Sequence, residues 1–157
     1  MNESPEPLRA TYRLARLMGL ALCLGTPALI GGLILSGLVP PGEQLPEGAY
    51  LQLGHLFTGL VFLSAAWVLW RRGTVLRPFH RVPGARRAGV VLRETLLYAA
   101  LFELSSLFGL VYWILVGKHA ARHVFGFIIL SPLLFLALAP RLSHWVKASE
   151  AGSGEAP

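Results

Sequence analysis

The chain is short of nearly everything from which reactive sites are assembled. Among 157 residues there is one cysteine, Cys23, which excludes a disulfide scaffold. No Walker loop, Gly-x-Ser-x-Gly elbow or His-Glu-x-x-His motif occurs. Charged residues make up only 14%, against about 25% in an average soluble domain. With 54% hydrophobic residues and a mean hydropathy of +0.58, that deficit argues against a water-soluble globule. The apolar content also excludes a disordered chain, and the glycines lack the triplet period of collagen. The segments between apolar runs are too short to enclose a catalytic core, so a non-catalytic role is expected.

What is present is apolar sequence in long runs. Residues 17–39, 49–70, 95–116 and 119–139 each reach the roughly 20 residues that a helix needs to cross a hydrocarbon core of about 30 Å. The expected fold is all-α: an integral membrane bundle of four transmembrane helices in two antiparallel hairpins. Residues 17–141 would form this domain, between an N-terminal tail at 1–16 and a largely disordered tail at 142–157 that is rich in small and polar residues. The first run, with Arg9, Arg13 and Arg16 before it, could be read as a signal peptide. It is longer than a usual signal core and no Ala-x-Ala site follows, so a retained helix is expected.

Basic residues predict the orientation. Of 14 Lys and Arg, three precede the first run, seven lie in 71–93, two are Lys118 and Arg122, and two are Arg141 and Lys147. The 40–48 connection carries Glu43 and Glu47 and no base. The positive-inside rule then places both termini and the 71–93 loop in the cytoplasm, as in a multi-pass protein of the cell inner membrane. Topology accounts for the pI of about 10.3, so no nucleic-acid partner is expected. The expected partners are the lipid bilayer and a membrane-protein complex or homo-oligomer.

Trp67, Trp70, Tyr50, Tyr98, Tyr112, Trp113 and Trp145 fall mainly toward the ends of runs, as an aromatic belt would. Small residues four apart, Ala28, Gly32 and Ser36 in the first run and Ser105 and Gly109 in the third, favour close helix packing. Pro27 and Pro132 interrupt the backbone bonding of the first and fourth helices.

Glu103 is the least expected residue, because it lies near the middle of the third run, where a charge costs on the order of 3 kcal/mol. A carboxyl there is either protonated or partnered, and one that exchanges a proton is a relay candidate. Ser106, one turn on, is its nearest donor on the same face. Glu94, beside Arg93, reads as an interfacial charge. Residues 100–111 resemble the carboxylate helix of rotary ATPase proteolipid c subunits, in which a Glu is followed by an aromatic, Gly, Leu and Val, here Phe108, Gly109, Leu110 and Val111. That resemblance implies a proton-linked carboxyl. It covers about a dozen residues, and the 71–93 loop has no counterpart in a proteolipid. The same stretch with Pro140-Arg141 resembles small four-helix bacterial integral membrane proteins of unassigned function, which implies a topology only.

Histidine supplies the second constellation. His55 lies six residues into the second run, about 9 Å deep. His119 and His123 stand at the mouth of the fourth, which enters from the same side. Opposed imidazoles in an apolar shell are what bis-His ligation of haem b requires, with Gly54, Gly59 and Gly126 leaving room for the macrocycle. This reading gives an electron-transfer subunit with one haem between the second and fourth helices, similar in outline to small cytochrome b subunits. A zinc or copper site is not expected, since no carboxylate or thiol joins the three histidines.

Overall fold

A computed structural model describes residues 6–43 and 46–151. Every regular element in them is helical: α1 (Glu6–Leu35), α2 (Glu47–Leu76), α3 (Gly84–Val116), α4 (Ala121–Leu138) and α5 (Leu142–Glu150). Three helical stretches are long and apolar enough to cross a membrane: Leu8–Leu35, Gly48–Leu76 and Gly84–Glu150. The third contains α3, α4 and α5. Only a four-residue 3-10 turn, Gly117–Ala120, separates α3 from α4, so helical backbone runs almost unbroken through the reversal.

Contact register gives the directions. Between α3 and α4, residue 103 meets 131 and residue 105 meets 127, so the sum stays near constant and the helices are antiparallel. Between α2 and α3, residues 50 and 112, 57 and 108, and 71 and 94 meet in the same antiparallel sense. Cys23 instead meets Ala99 and Val39 meets Trp113, so α1 runs parallel to α3. The four long helices therefore alternate in direction. They do not form two packed hairpins as expected, because α1 packs on α3 and α4, and α2 packs mainly on α3's other side. The connection between α1 and α2 allows this: it crosses the end of α3, where the Gly42 N–H donates to the Trp113 carbonyl at 3.2 Å.

At that crossing two chain reversals are fused. Gly117 has φ 79°, a conformation that favours glycine, and a Cβ there would collide with the Gly42 carbonyl. Further along, Gly109 brings α3 close to α4, since an added Cβ would lie 2.9 Å from the Val124 carbonyl oxygen. The Ser105 and Gly109 pair thus sits at a helix contact. Ala28 and Gly32 on α1, and Ser36 just after it, do not, because all three are exposed.

The opposite end is more ordered than its charge implies. Both flanking helices extend into the expected 71–93 loop, leaving only residues 77–83 between them. Arginine is a good helix former, and the breaks fall at Pro78 and Pro83. Arg87 binds this turn, donating to the carbonyls of Val82 at 3.0 Å and His80 at 3.2 Å. Beyond α4, the tail expected to be disordered instead forms α5 up to Glu150; residues 1–5 and 152–157 of the expected tails lie outside the described residues. The cause is Trp145, fully buried against Phe79 with ring centroids 4.9 Å apart and joined by Tyr12 and Val91 in one cluster. An aromatic belt is accordingly partial: Trp67 and Trp70 are exposed, whereas Tyr98, Tyr112, Trp113 and Trp145 are buried.

Gly117→Ala is expected to lower stability by about 1–3 kcal/mol, through backbone strain and collision with Gly42. Gly89→Ala, where an added Cβ meets nothing within 4 Å, should be neutral or slightly stabilising. Thermal unfolding of the two variants in one detergent distinguishes these outcomes.

Candidate functional site

The polar side chains buried within the bundle gather on α3, which carries Glu94, Thr95, Glu103, Ser105 and Ser106; Ser131 faces them from α4. Glu103 is 6% exposed and Ser131 is fully enclosed. The Ser131 hydroxyl donates to Glu103 Oε2 at 3.0 Å, and Ser106 Oγ is hydrogen-bonded to Oε1. Ser106 also lies 3.0 Å from the Glu103 main-chain carbonyl oxygen. The Ser106 hydroxyl, with its single proton, thus faces two oxygens. Were the carboxyl protonated, the acid would donate to Ser106, Ser106 to the main chain, and Ser131 to the other carboxyl oxygen. No cation is paired with Glu103 among the described residues. Two residues beyond Glu103, Ser105 donates to the Phe127 carbonyl at 2.7 Å, adding a second polar link between α3 and α4.

Glu103 and Ser106, paired in the sequence reading, are therefore in contact, and Ser131 is the partner that reading missed. Its signal was available: Ser131 stands as far beyond Gly117 as Glu103 stands before it, so a reversal at Gly117 brings them level.

Glu94 is also more than the interfacial charge its position suggests. It is fully buried and held by the fork of Arg71, with Nε 3.1 Å from Oε2 and Nη2 2.9 Å from Oε1. Arg93 Nη2 adds a third contact at 3.0 Å. A bidentate guanidinium–carboxylate pair fixes orientation as well as distance, so this cluster pins α2 to α3. The sequence places Arg71 at the end of one apolar run and Glu94 at the start of the next, which an antiparallel pair brings together.

The histidines do not converge in the same way. His55, His119 and His123 are all exposed. His123 packs its ring edge-on to Tyr112, with centroids 6.3 Å apart, and borders a groove between α2 and α4. His55 lies one turn beyond Thr58, outside the residues that border the groove. One imidazole at an open groove does not supply the facing pair and closed apolar shell that bis-His haem requires. Among the described residues, no three His, Cys, Asp or Glu side chains are grouped so as to hold a metal ion. Cys23 is buried, its thiol 3.5 Å from the Ala99 carbonyl oxygen.

Comparison with protein-family models, with curated proteins and with solved structures finds no match to this chain.

Removing Arg71 leaves Glu94 buried with one exposed partner, so Arg71→Gln is expected to cost about 1–3 kcal/mol. Arg93→Gln should cost less than about 1 kcal/mol, because its side chain is 69% exposed and the Arg71 fork remains. Ser131→Ala should cost about 1 kcal/mol, the usual scale for a hydrogen bond between membrane helices. Denaturation of the three variants in mixed micelles measures the order.

Proposed function

We propose that the chain is a small, non-catalytic, four-span protein of the cell inner membrane, acting as an accessory or structural subunit, in which Glu103 is a neutral hydrogen-bonding clasp between α3 and α4. One observation carries the clasp: both carboxyl oxygens are bonded to serine hydroxyls, one from each helix, at a site 6% exposed. A polar group in hydrocarbon must be satisfied within the protein, and this arrangement satisfies it without a charge. A relay would require the proton to leave, and in this site the proton completes the bonding.

The four-span reading takes α3 and α4 as separate spans. At 1.5 Å per residue the 18 residues of α4 extend about 27 Å, close to the thickness of the hydrocarbon core. The start of α1, the turn between α2 and α3, and α5 share one cluster, so both ends of the described chain lie with the arginine-rich turn. Positive-inside bias makes that end cytoplasmic. The exposed leucines of α1 and the outer face of α2 then meet lipid, or partner helices in a complex or homo-oligomer.

Infrared spectroscopy tests the clasp. A protonated-carboxyl band that Glu103→Gln removes should persist unchanged from pH 5 to 9 (roughly the range set by carboxyl and amine reference values); a band that titrates within it would restore the proton-linked role. Thiol labelling tests the orientation, since Cys23 is buried and contributes little background. Glu43→Cys should react with an impermeant reagent in intact cells and Arg81→Cys only after lysis; the reverse pattern overturns the topology.

A further inference from the structure

α2 is pinned to α3 and leans only lightly on α4. Between α2 and α4 this leaves a groove of about 590 Å³, within the range of small-molecule sites. Its α4 wall runs from Arg122 to Leu138, about 24 Å at 1.5 Å per residue. A long groove lined almost wholly by apolar side chains suits an extended hydrocarbon chain. Phe62 and Ala65 form part of the apolar α2 wall. Gly126 borders open space in the groove, since an added Cβ there would meet nothing within 4 Å.

The mouth has a different chemistry. Arg122 and His123 border it at the end of the bundle away from the arginine-rich turn, and no acid borders the groove. Arg122 is exposed and has no hydrogen-bond or ion-pair partner among the described residues. The His123 ring is held against Tyr112, whose hydroxyl donates to the Tyr50 carbonyl at 2.8 Å. A guanidinium fork beside an imidazole, in the positively polarised first turn of α4 and with no acid there to pair a head-group cation, matches the phosphate of an anionic lipid.

We propose that the groove between α2 and α4 seats one acyl chain of an anionic phospholipid, with the phosphate held by Arg122 and His123. The proposal rests on the membrane reading and is independent of the Glu103 clasp. Charge complementarity at the mouth, with an apolar groove running on from it, points to this occupant.

Native mass spectrometry of the full chain in detergent, titrated with phosphatidylglycerol or phosphatidylcholine, tests it. Phosphatidylglycerol should be retained about fivefold better, the preference that one basic side chain gives near an anionic head group. Arg122→Gln should abolish that preference without changing helicity or thermal stability. Gly126→Leu should displace both lipids by filling the groove, whereas Gly25→Leu, on α1, should displace neither. Equal retention of the two lipids, an unaltered preference in Arg122→Gln, or retention in Gly126→Leu equal to the parent overturns the proposal. So does a co-purifying haem, seen as a Soret band lost in His123→Ala, or a co-purifying quinone displaced by Gly126→Leu.

Discussion

Hydrocarbon offers no hydrogen bonds, and the rest of this bundle is arranged around how α3 meets that constraint. A helix satisfies its own backbone, but the side chains of Glu94, Glu103 and Ser105 must find partners on other helices. Arg71 comes from α2, Ser131 and the Phe127 carbonyl from α4. From the other side, α1 is tied by the Cys23 thiol, and the segment that follows it by the Trp113 indole donating to the Val39 carbonyl. α3 is the hub because it carries the groups that cannot be left alone, and its neighbours stand where those groups reach them.

The two buried glutamates on this hub solve the same problem in opposite ways. Glu94, at the end rich in arginine, keeps a charge and surrounds it with two guanidinium groups that still touch water. Glu103, about 13.5 Å deeper along the helix, is served by hydroxyls alone. A paired charge at depth would bring two desolvation costs, whereas a neutral acid brings neither. In the proposed clasp, depth along one helix decides which chemistry a glutamate uses.

Much of this was legible in sequence, for identifiable reasons. Long apolar runs are governed by bilayer thickness, so the helices and their alternating directions could be read from composition. Glu103 stood out because its cost in lipid does not depend on neighbours, and Ser106 followed from helical spacing. Ser131 and Arg71 were within reach by reflecting the chain about Gly117 and about the 77–83 turn, a step that needs the reversal points and not only the runs. Features that depend on tertiary packing were not readable. Trp145 looks like an interfacial anchor until Phe79 is placed beneath it, and α5 has only nine residues to announce it. The outward direction of His55, and of the Ala28, Gly32 and Ser36 stripe, depends on which face each helix turns to its neighbours. In segments apolar on every side, periodicity does not indicate that face.

The position of α3 between α1 and α2 also bears on the order of assembly. As the chain is made, α1 and α2 emerge first, yet they have little surface for each other and await the same later partner. The first compact unit available is the α3–α4 pair, local in sequence and joined by a four-residue turn. The N-terminal half must then close onto it across separations of more than 70 residues between α1 and α3. Loops of that length raise the entropy of closure only slowly, but they delay it. The membrane, by keeping the two early helices upright and nearby, does for them what an early hairpin contact does in other bundles.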